Sequence, residues 1–234
     1  MSDVVIIDPR VNLQVHNSAD CFPIRRIYCV GRNYAAHARE MGADPSREQP
    51  FFFCKPQDAV VPAQWPDEEV LIQYPPQTQD LHYEVELVIA IGQAGRDISA
   101  TCAWDHVWGY TVGLDMTRRD LQRAAKDKGH PWELAKAFDQ SAPVGLLVPL
   151  KGQGSLLKGR ILLELEGQVK QLADISDMIW SVPEIIHHLS CYFELKPGDL
   201  IFTGTPEGVG SVQPGQSLRA SVEGAPALNV CITN

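Results

Sequence analysis

The stretch LHYEVELVIAIG, residues 81–92, is apolar enough to form a buried strand, yet it contains the two carboxylates Glu84 and Glu86. Residues i and i+2 of a β-strand lie on one face, so the two acids are predicted to point together while Val85 and Leu87 pack on the other side. Carboxylates held close together away from water repel each other unless a proton, a cation or a basic side chain neutralises them. The stretch therefore predicts a buried strand with a counter-charge beside it.

A third acid, Asp115, ends the apolar run before the polar segment MTRRDLQ and completes a candidate triad with Glu84 and Glu86. Three oxygen ligands, with no Cys or His nearby in a metal-binding spacing, suit a hard divalent cation such as Mg²⁺ or Mn²⁺ better than zinc or copper. The alternative is that each acid pairs with Arg118, Arg119 or a lysine. Spacing alone leaves both interpretations open.

The composition is that of a soluble globular protein with an acidic balance. The 234 residues are 44% hydrophobic and 21% charged, and the formal net charge is −9. Such a charge argues against nucleic acid or an anionic membrane as the main partner. No apolar run has the length of a transmembrane helix, and the start of the chain lacks the pattern of a secretory signal, so a cytoplasmic protein is expected.

The cysteines predict free thiols. They contain no CxxC pair, which favours a reducing compartment over a disulfide framework or a zinc site. We interpret them as small core residues. They are Cys21, Cys29, Cys54, Cys102, Cys191 and Cys231.

The pattern of apolar runs predicts a β-rich α+β fold, because strands and helices do not alternate regularly as they do in a doubly wound parallel sheet. The helix at 118–128 is predicted to begin after Thr117 as N-cap. The Pro-rich region 62–79 is either a boundary or a long loop. The predicted strands are 4–7, 27–30, 84–91, 107–114, 162–165 and 200–203, and the predicted helices are 34–41, 118–128 and 182–192.

Five separated motifs, in order, resemble the fumarylacetoacetate hydrolase family. The resemblance runs from residue 27 to near the end of the chain and implies a mixed β-sandwich roll, 25–234, after an N-terminal segment, 1–24. It also implies a homodimer and a divalent ion, Mg²⁺ or Mn²⁺, held by Glu84, Glu86 and Asp115. The motifs are VGRNYAAHAREMG, LHYEVEL, GLDMTRRDLQ, PWELAKAFDQSAPVG and FTGTPEGVG.

The spacing of His37 and Glu40 places them on one face of a helix, where the carboxylate can orient the imidazole. On the residues alone, this pair is a solvated surface contact. The family resemblance implies instead a catalytic His–Glu dyad that serves as the base. It also implies that Lys136 neutralises an oxyanion or holds the substrate, and that Gln122 places the attacking water or the distal carbonyl.

Within the family, the chain is most similar to the short acylpyruvate hydrolases, and PSREQPFFFCKPQDAVV resembles the bacterial fumarylpyruvate hydrolases. The resemblance implies a dioxo-acid substrate whose carboxylate contacts Thr205, with Arg32 and Lys55 also at substrate-binding positions. A fumarylpyruvate substrate has a second, distal carboxylate that requires a cation. The candidates, chosen by nearness in sequence, are Arg119, Lys126 and Lys128.

The expected activity is metal-dependent hydrolysis of fumarylpyruvate to fumarate and pyruvate. One alternative shares the metal and an enolate: an oxaloacetate decarboxylase, or another decarboxylase or isomerase of the family. Another is a non-catalytic sensor of a dioxo acid or a metal. For the aromatic run at 51–53, the alternation of a strand favours core side chains over a ligand platform.

Overall fold

The computed structural model describes residues 10–40, 48–150 and 156–234, and it confirms the predicted strand-rich α+β class. The helices are α1 Ala35–Glu40, α2 Arg119–Lys128, α3 Glu133–Lys136 and α4 Val182–Tyr192. The strands are β1 Asn12–Gln14, β2 Cys21–Pro23, β3 Ile27–Gly31, β4 Phe51–Lys55, β5 Val60–Pro62, β6 Glu69–Gln73, β7 Leu81–Tyr83, β8 Val85–Ile91, β9 Val107–Leu114, β10 Thr117–Arg118, β11 Ala142–Val144, β12 Val148–Pro149, β13 Arg160–Leu165, β14 Gln168–Asp174, β15 Leu200–Phe202, β16 Gly210–Ser211, β17 Ser217–Val222 and β18 Leu228–Thr233.

The largest sheet has eight strands in the order β4-β3-β15-β8-β9-β11-β5, with β12 also pairing with β9. The pairs β3–β15 and β5–β11 are parallel and the others are antiparallel. Strand β8 lies at its centre and is buried along its whole length. Its alternate residues enter two different cores, since Leu87 and Ile89 pack on one face of the sheet and Val88 and Ala90 on the other.

The larger core lies between the eight-stranded sheet and a five-stranded sheet of order β14-β13-β17-β18-β6. Strand β13 packs against β8 and β17 against β9, so apolar residues of both sheets meet face to face. Helix α4 adds Ile185, Ile186 and Leu189 to this core. Its first turn is fixed by a capping box between Ser181 and Glu184.

The hairpin of β1 and β2 covers the opposite face of the eight-stranded sheet. Leu13, Phe22 and Ile24 join the second core there. The described part of the segment 1–24 is therefore packed onto the sheet. The division at residue 25 stays a prediction.

The elements agree with the sequence-based expectations where local signals are strong. Strand β9 and helix α4 have the predicted bounds. The helix predicted over 34–41 is α1, and its expected last residue, Met41, lies outside the described residues, as does the strand predicted at 4–7. The region 62–79 is neither a boundary nor a long loop, because strand β6 within it pairs with β18.

The prediction that Thr117 caps the second helix is wrong. Helix α2 begins at Arg119, and Arg118 at its N-cap makes no capping side-chain bond. Thr117 lies in strand β10 opposite His82, and its hydroxyl donates to the Asp115 carbonyl at 3.0 Å. The chain is thus still extended where a helix was expected, because a tertiary strand pairing outweighs the local capping signal.

All six cysteines lie in the described residues, and all are free thiols. The interpretation of them as core residues holds only for Cys29, which is buried, whereas Cys21, Cys54, Cys102 and Cys191 are exposed. Cys54 illustrates why. Side chains alternate between the two faces of a strand, and Cys54 on β4 is exposed whereas its neighbours Phe53 and Lys55 are partly or fully buried. Among the described residues, no helix has the length and apolar character needed to cross a bilayer.

Candidate active site

The three predicted acids come from adjacent strands and meet at one buried point. Glu84 lies between β7 and β8, Glu86 lies in β8 opposite Gly113, and Asp115 directly follows β9. The Asp115 amide donates to the Glu84 carbonyl at 2.9 Å, which holds the two ends together. Each of the three carboxylates has an oxygen within 4.8 Å of the others. The strands therefore create a compact set of hard oxygen donors.

Buried cations already neutralise two of these carboxylates. The Lys136 ammonium lies 2.7 Å from Glu84 Oε2 and 2.6 Å from Asp115 Oδ2. The Arg119 guanidinium donates to Glu84, and Lys55 Nζ lies 2.8 Å from Asp115 Oδ1. The alternative raised by the sequence, pairing of each acid with a basic side chain, thus holds for Glu84 and Asp115. Arg118 pairs with none of the three acids and packs over the Phe138 ring.

Glu86 is the exception, because within the described residues it has no cationic partner. Its Oε2 accepts a hydrogen bond from the Gly204 amide at 2.7 Å. Burial raises the pKa of Glu86 well above its ordinary value, and the charges of Asp115 and Glu84 raise it further. Among the three carboxylates, Glu86 is therefore the one that makes no ion pair within the described residues and is the most available to a bound cation.

The pKa values of the ion-paired Glu84 and Lys136 shift in the directions that favour their charged forms. Burial alone would raise the pKa of Glu84, but the charges of Lys136 and Arg119 hold it below its ordinary value. Burial would lower the pKa of Lys136, but Asp115 and Glu84 raise it overall. Lys136 is therefore an ammonium ion at neutral pH.

The predicted dyad is assembled beside these acids. His37 is 5% exposed, and its Nδ1 lies 3.2 Å from Glu40 Oε2. The Gly208 amide lies 3.2 Å from both Glu40 oxygens, so the end of α1 rests on the glycine-rich loop 204–210. Glu40 thereby orients the imidazole, and His37 lines the cavity.

A cavity of about 510 Å³ joins the acids and the dyad. Lys55, Lys128 and His130 are not among its lining residues. The sequence-predicted residues that line it are Arg32, His37, Glu40, Glu84, Glu86, Asp115, Arg119, Gln122, Lys126, Lys136 and Thr205.

Lys55 lies behind Asp115 and is fully buried. Besides its ion pair, its ammonium donates to the Met116 carbonyl at 3.3 Å and to the Lys136 carbonyl. A direct contact between Lys55 and substrate has no support in this geometry. Lys55 instead fixes the chain at Asp115 and Lys136.

Arg119 is not the free cation that was expected to bind the distal carboxylate of the substrate. Its guanidinium is buried between Glu84 and the Gln122 carbonyl oxygen, and its Nε lies 3.4 Å from His82 Nδ1. Burial and the charge of Arg119 lower the pKa of His82. Arg119 thus orients Gln122 and Glu84, and its positive charge is balanced by the Glu84 carboxylate.

The three aromatic residues at 51–53, on strand β4, have different surroundings. Phe52 packs against the larger core, as the core interpretation predicted. Phe51 and Phe53 line the cavity, where each ring contacts Trp132, at centroid distances of 5.4 and 5.9 Å. For these two residues a ligand wall is the better description.

Two polar residues that sequence analysis missed support the site. Asn33 donates to the Trp180 and Thr203 carbonyls and accepts from the Trp180 amide, which anchors the chain before α1. Gln171 accepts from the Val85 amide at 3.0 Å and donates to Thr205 Oγ1 at 2.9 Å. No local signal distinguishes Gln171, because a glutamine in a strand is ordinarily exposed.

Replacing Gln171 by leucine is expected to lower the free energy of unfolding by about 2–6 kcal/mol. It leaves the Val85 amide and the Pro206 carbonyl buried without partners, at about 1–3 kcal/mol each. Urea denaturation measures the effect. Gln168→Leu, at an exposed position of the same strand, is the matched control, and equal stability of the two variants would contradict the structural role of Gln171.

The fold and site together define a strand-rich protein in which buried acids, a lysine and a His–Glu pair surround one cavity, the arrangement of an enzyme active site. Residues 26–233 match the family model described as fumarylacetoacetate (FAA) hydrolase, C-terminal. The chain belongs to the fumarylacetoacetate hydrolase family, as its motifs predicted.

Individual relatives are similar over nearly the whole chain. The crystal structure of fumarylpyruvate hydrolase from Pseudomonas aeruginosa, in complex with Mn²⁺ and pyruvate, is 52% identical, with a TM-score of 0.97 over 99% of both chains. Fumarylpyruvate hydrolase from Ralstonia sp is 43% identical over 81% of this chain and 95% of its own. The mitochondrial oxaloacetate decarboxylase of Dictyostelium discoideum is 42% identical over 86% of this chain and 89% of its own.

Proposed function

We propose that the protein is a divalent-metal-dependent hydrolase that converts fumarylpyruvate and water to fumarate and pyruvate. The observation that supports this most strongly is the convergence of three buried carboxylates at a cavity that also holds the His37–Glu40 pair. The 52% identity to a fumarylpyruvate hydrolase is independent support.

The residues fit a divalent cation. Glu84, Glu86 and Asp115 offer oxygen donors within reach of one ion, and Glu86 lacks a cationic partner among the described residues. Mg²⁺ and Mn²⁺ prefer such a set and retain positions for water and substrate oxygens. When bound, the ion supplies Lewis acidity that stabilises the negative charge left on the pyruvate fragment.

His37 acts as the general base in this proposal. It takes a proton from water, whose oxygen then forms a bond to C4 of the 2,4-dioxo acid. The Glu40 carboxylate at 3.2 Å stabilises the imidazolium that results. The C3–C4 bond then breaks, its electron pair remains on C3 as the pyruvate enolate, and protonation of C3 yields pyruvate.

Lys136, Gln122 and Thr205 hold the reacting groups. Lys136 lines the cavity, and in this proposal its ammonium stabilises the negative charge that develops on the C4 oxygen. The side chain of Gln122, fixed by Arg119, places the water or the C4 carbonyl. Thr205 Oγ1 accepts a hydrogen bond from Gln171 at 2.9 Å, and in this proposal its hydroxyl donates to the carboxylate next to the 2-oxo group.

The test follows the ultraviolet absorbance of the enol of fumarylpyruvate beside acetylpyruvate and oxaloacetate, with Mn²⁺ or Mg²⁺ and then with chelator. We expect rapid loss of fumarylpyruvate, equimolar fumarate and pyruvate, and a rate that chelator reduces by at least about 100-fold. Metal-independent turnover would overturn the mechanism. Absence of turnover with every substrate, despite metal binding, would favour the non-catalytic sensor.

Oxaloacetate decarboxylation is the second candidate, favoured by the 42% identity to an oxaloacetate decarboxylase. It leaves the same pyruvate enolate but needs no attacking water. A preference for oxaloacetate over fumarylpyruvate in the assay would identify decarboxylation as the main activity.

We also propose that the protein is a homodimer and that it is located in the cytoplasm. Large apolar side chains are exposed on the two edge strands of the five-stranded sheet, Leu71 on β6 and Val169 and Leu172 on β14. Burial of these side chains against a second copy of the chain would remove apolar surface from water. Light scattering after size exclusion tests the dimer. Six free thiols suit a reducing compartment.

A further inference from the structure

A continuous row of contacts leads from the buried acids along the cavity wall to Arg32. The Lys136 ammonium, which pairs with Asp115, lies 5.2 Å from the centre of the Phe53 ring. Phe53 contacts Trp132, and Trp132 contacts Phe51. The Arg32 guanidinium lies 5.5 Å from the centre of the Phe51 ring. An aromatic wall, Phe51, Phe53 and Trp132, therefore separates the acids from a second positive group.

Most cations that line the cavity have a carboxylate partner. Lys136 and Arg119 pair with Glu84, and the Arg123 guanidinium lies 2.7 Å from Asp80. The two histidines, His37 and His82, contact Glu40 and Asp80. The protein itself therefore offsets the charges of Lys136, Arg119 and Arg123.

Arg32 and Lys126 are different, since neither pairs with a carboxylate in the part of the chain that the structure describes. Lys126 is exposed and is followed by Asp127, which also lines the cavity. Arg32 is half-buried, and its guanidinium lies over the Phe51 ring. Arg32 is thus the cavity cation best placed to receive an anion from the ligand.

We propose that Arg32 and the aromatic wall form the acyl subsite, which selects a flat, conjugated acyl group that ends in a carboxylate. A guanidinium binds a carboxylate through two parallel hydrogen bonds, which a single ammonium cannot reproduce. Aromatic faces and edges pack well against a planar conjugated chain. This inference rests on the proposed function and assigns the distal contact to Arg32 rather than to Arg119, Lys126 or Lys128.

The test compares three substrates in which the same bond is cut: fumarylpyruvate, crotonylpyruvate and acetylpyruvate. Crotonylpyruvate keeps the conjugated chain without the distal carboxylate, and acetylpyruvate lacks both. We expect Arg32→Gln to lower kcat/KM about 100-fold for fumarylpyruvate and less than threefold for the other two. Arg32→Lys should restore part of the preference, because it returns the charge without the planar fork.

The controls separate the subsite from the proposed function. Arg123→Gln removes a cavity cation that is already paired with Asp80, and it should leave the preference for fumarylpyruvate unchanged. Turnover of acetylpyruvate by Arg32→Gln shows that the variant is folded. Equal losses on all three substrates, or an unchanged preference in both Arg32 variants, would overturn the subsite. Failure of the unaltered protein to cleave any acylpyruvate would instead overturn the proposed function.

Discussion

Replacing Glu86 by glutamine is expected to lower kcat/KM about 10³-fold and Mn²⁺ affinity more than 100-fold. The carboxylate is one of three oxygen donors, and even changes to the outer partners of metal ligands reduce affinity by about 10–100-fold. Calorimetric titration with Mn²⁺ and steady-state kinetics at saturating metal measure the two effects. Wild-type affinity and chelator-sensitive turnover in this variant would contradict the assignment of Glu86 as a ligand.

The same variant should be more stable than the unaltered chain when metal is absent. The pKa of Glu86 is raised in the folded state by burial and by its acidic neighbours, so at neutral pH folding must either protonate this group or bury its charge. The cost grows as pH rises above the unfolded pKa and disappears below it. With chelator present, the Glu86→Gln protein should therefore have a higher Tm at pH 8 than the unaltered protein, by about 2–4 °C for each kcal/mol of destabilisation that is removed. The increase in Tm should be smaller near pH 5.

A matched control distinguishes this effect from a general change of charge. Glu194→Gln removes an exposed carboxylate, paired with Lys196 at 3.2 Å, and should leave the Tm and metal affinity unchanged. A lower Tm of chelated Glu86→Gln than of this control would show that Glu86 stabilises the metal-free fold.

Replacing His37 by alanine is expected to lower kcat for fumarylpyruvate by about 10²–10⁴-fold, the range for loss of a general base. Oxaloacetate decarboxylation should fall less than about tenfold, since it needs no activated water. Parallel assays of the two reactions on one preparation measure the difference. Glu40→Gln should give a smaller loss of hydrolysis, because it removes only the group that orients the imidazole.

His130→Ala is the matched control, because this exposed histidine does not line the cavity. It should leave both activities unchanged. Equal losses of hydrolysis and decarboxylation in His37→Ala would contradict the assignment of His37 as the base for water.

The elements predicted best are those determined by local chemistry. Helix α4 has a capping box and a proline in its first turn, and strand β9 is a run of apolar and β-branched residues bounded by other elements. The convergence of Glu84, Glu86 and Asp115 was also predictable, because strand alternation and the family motifs both indicate it. Local pattern and tertiary structure agree at these places.

The remaining features depend on contacts between distant parts of the chain. Gln171 serves the site only because its strand packs beside Val85, which is 86 residues away in sequence. The placements of Lys55 behind Asp115 and of Arg119 against Glu84 have the same origin. Motif positions identified these two cations as important, but only the packed structure distinguishes support of the acids from contact with a ligand.

A crystal structure of the protein with Mn²⁺ and oxalate, a dianion that cannot be cleaved, tests most directly whether these acids form a metal site for a 2-oxo acid. We expect an anomalous Mn²⁺ peak about 2.1 Å from oxygens of Glu84, Glu86 and Asp115, with oxalate bound to the same ion. An ion bound elsewhere, with the Lys136 ammonium still paired to Glu84 and Asp115, would contradict it.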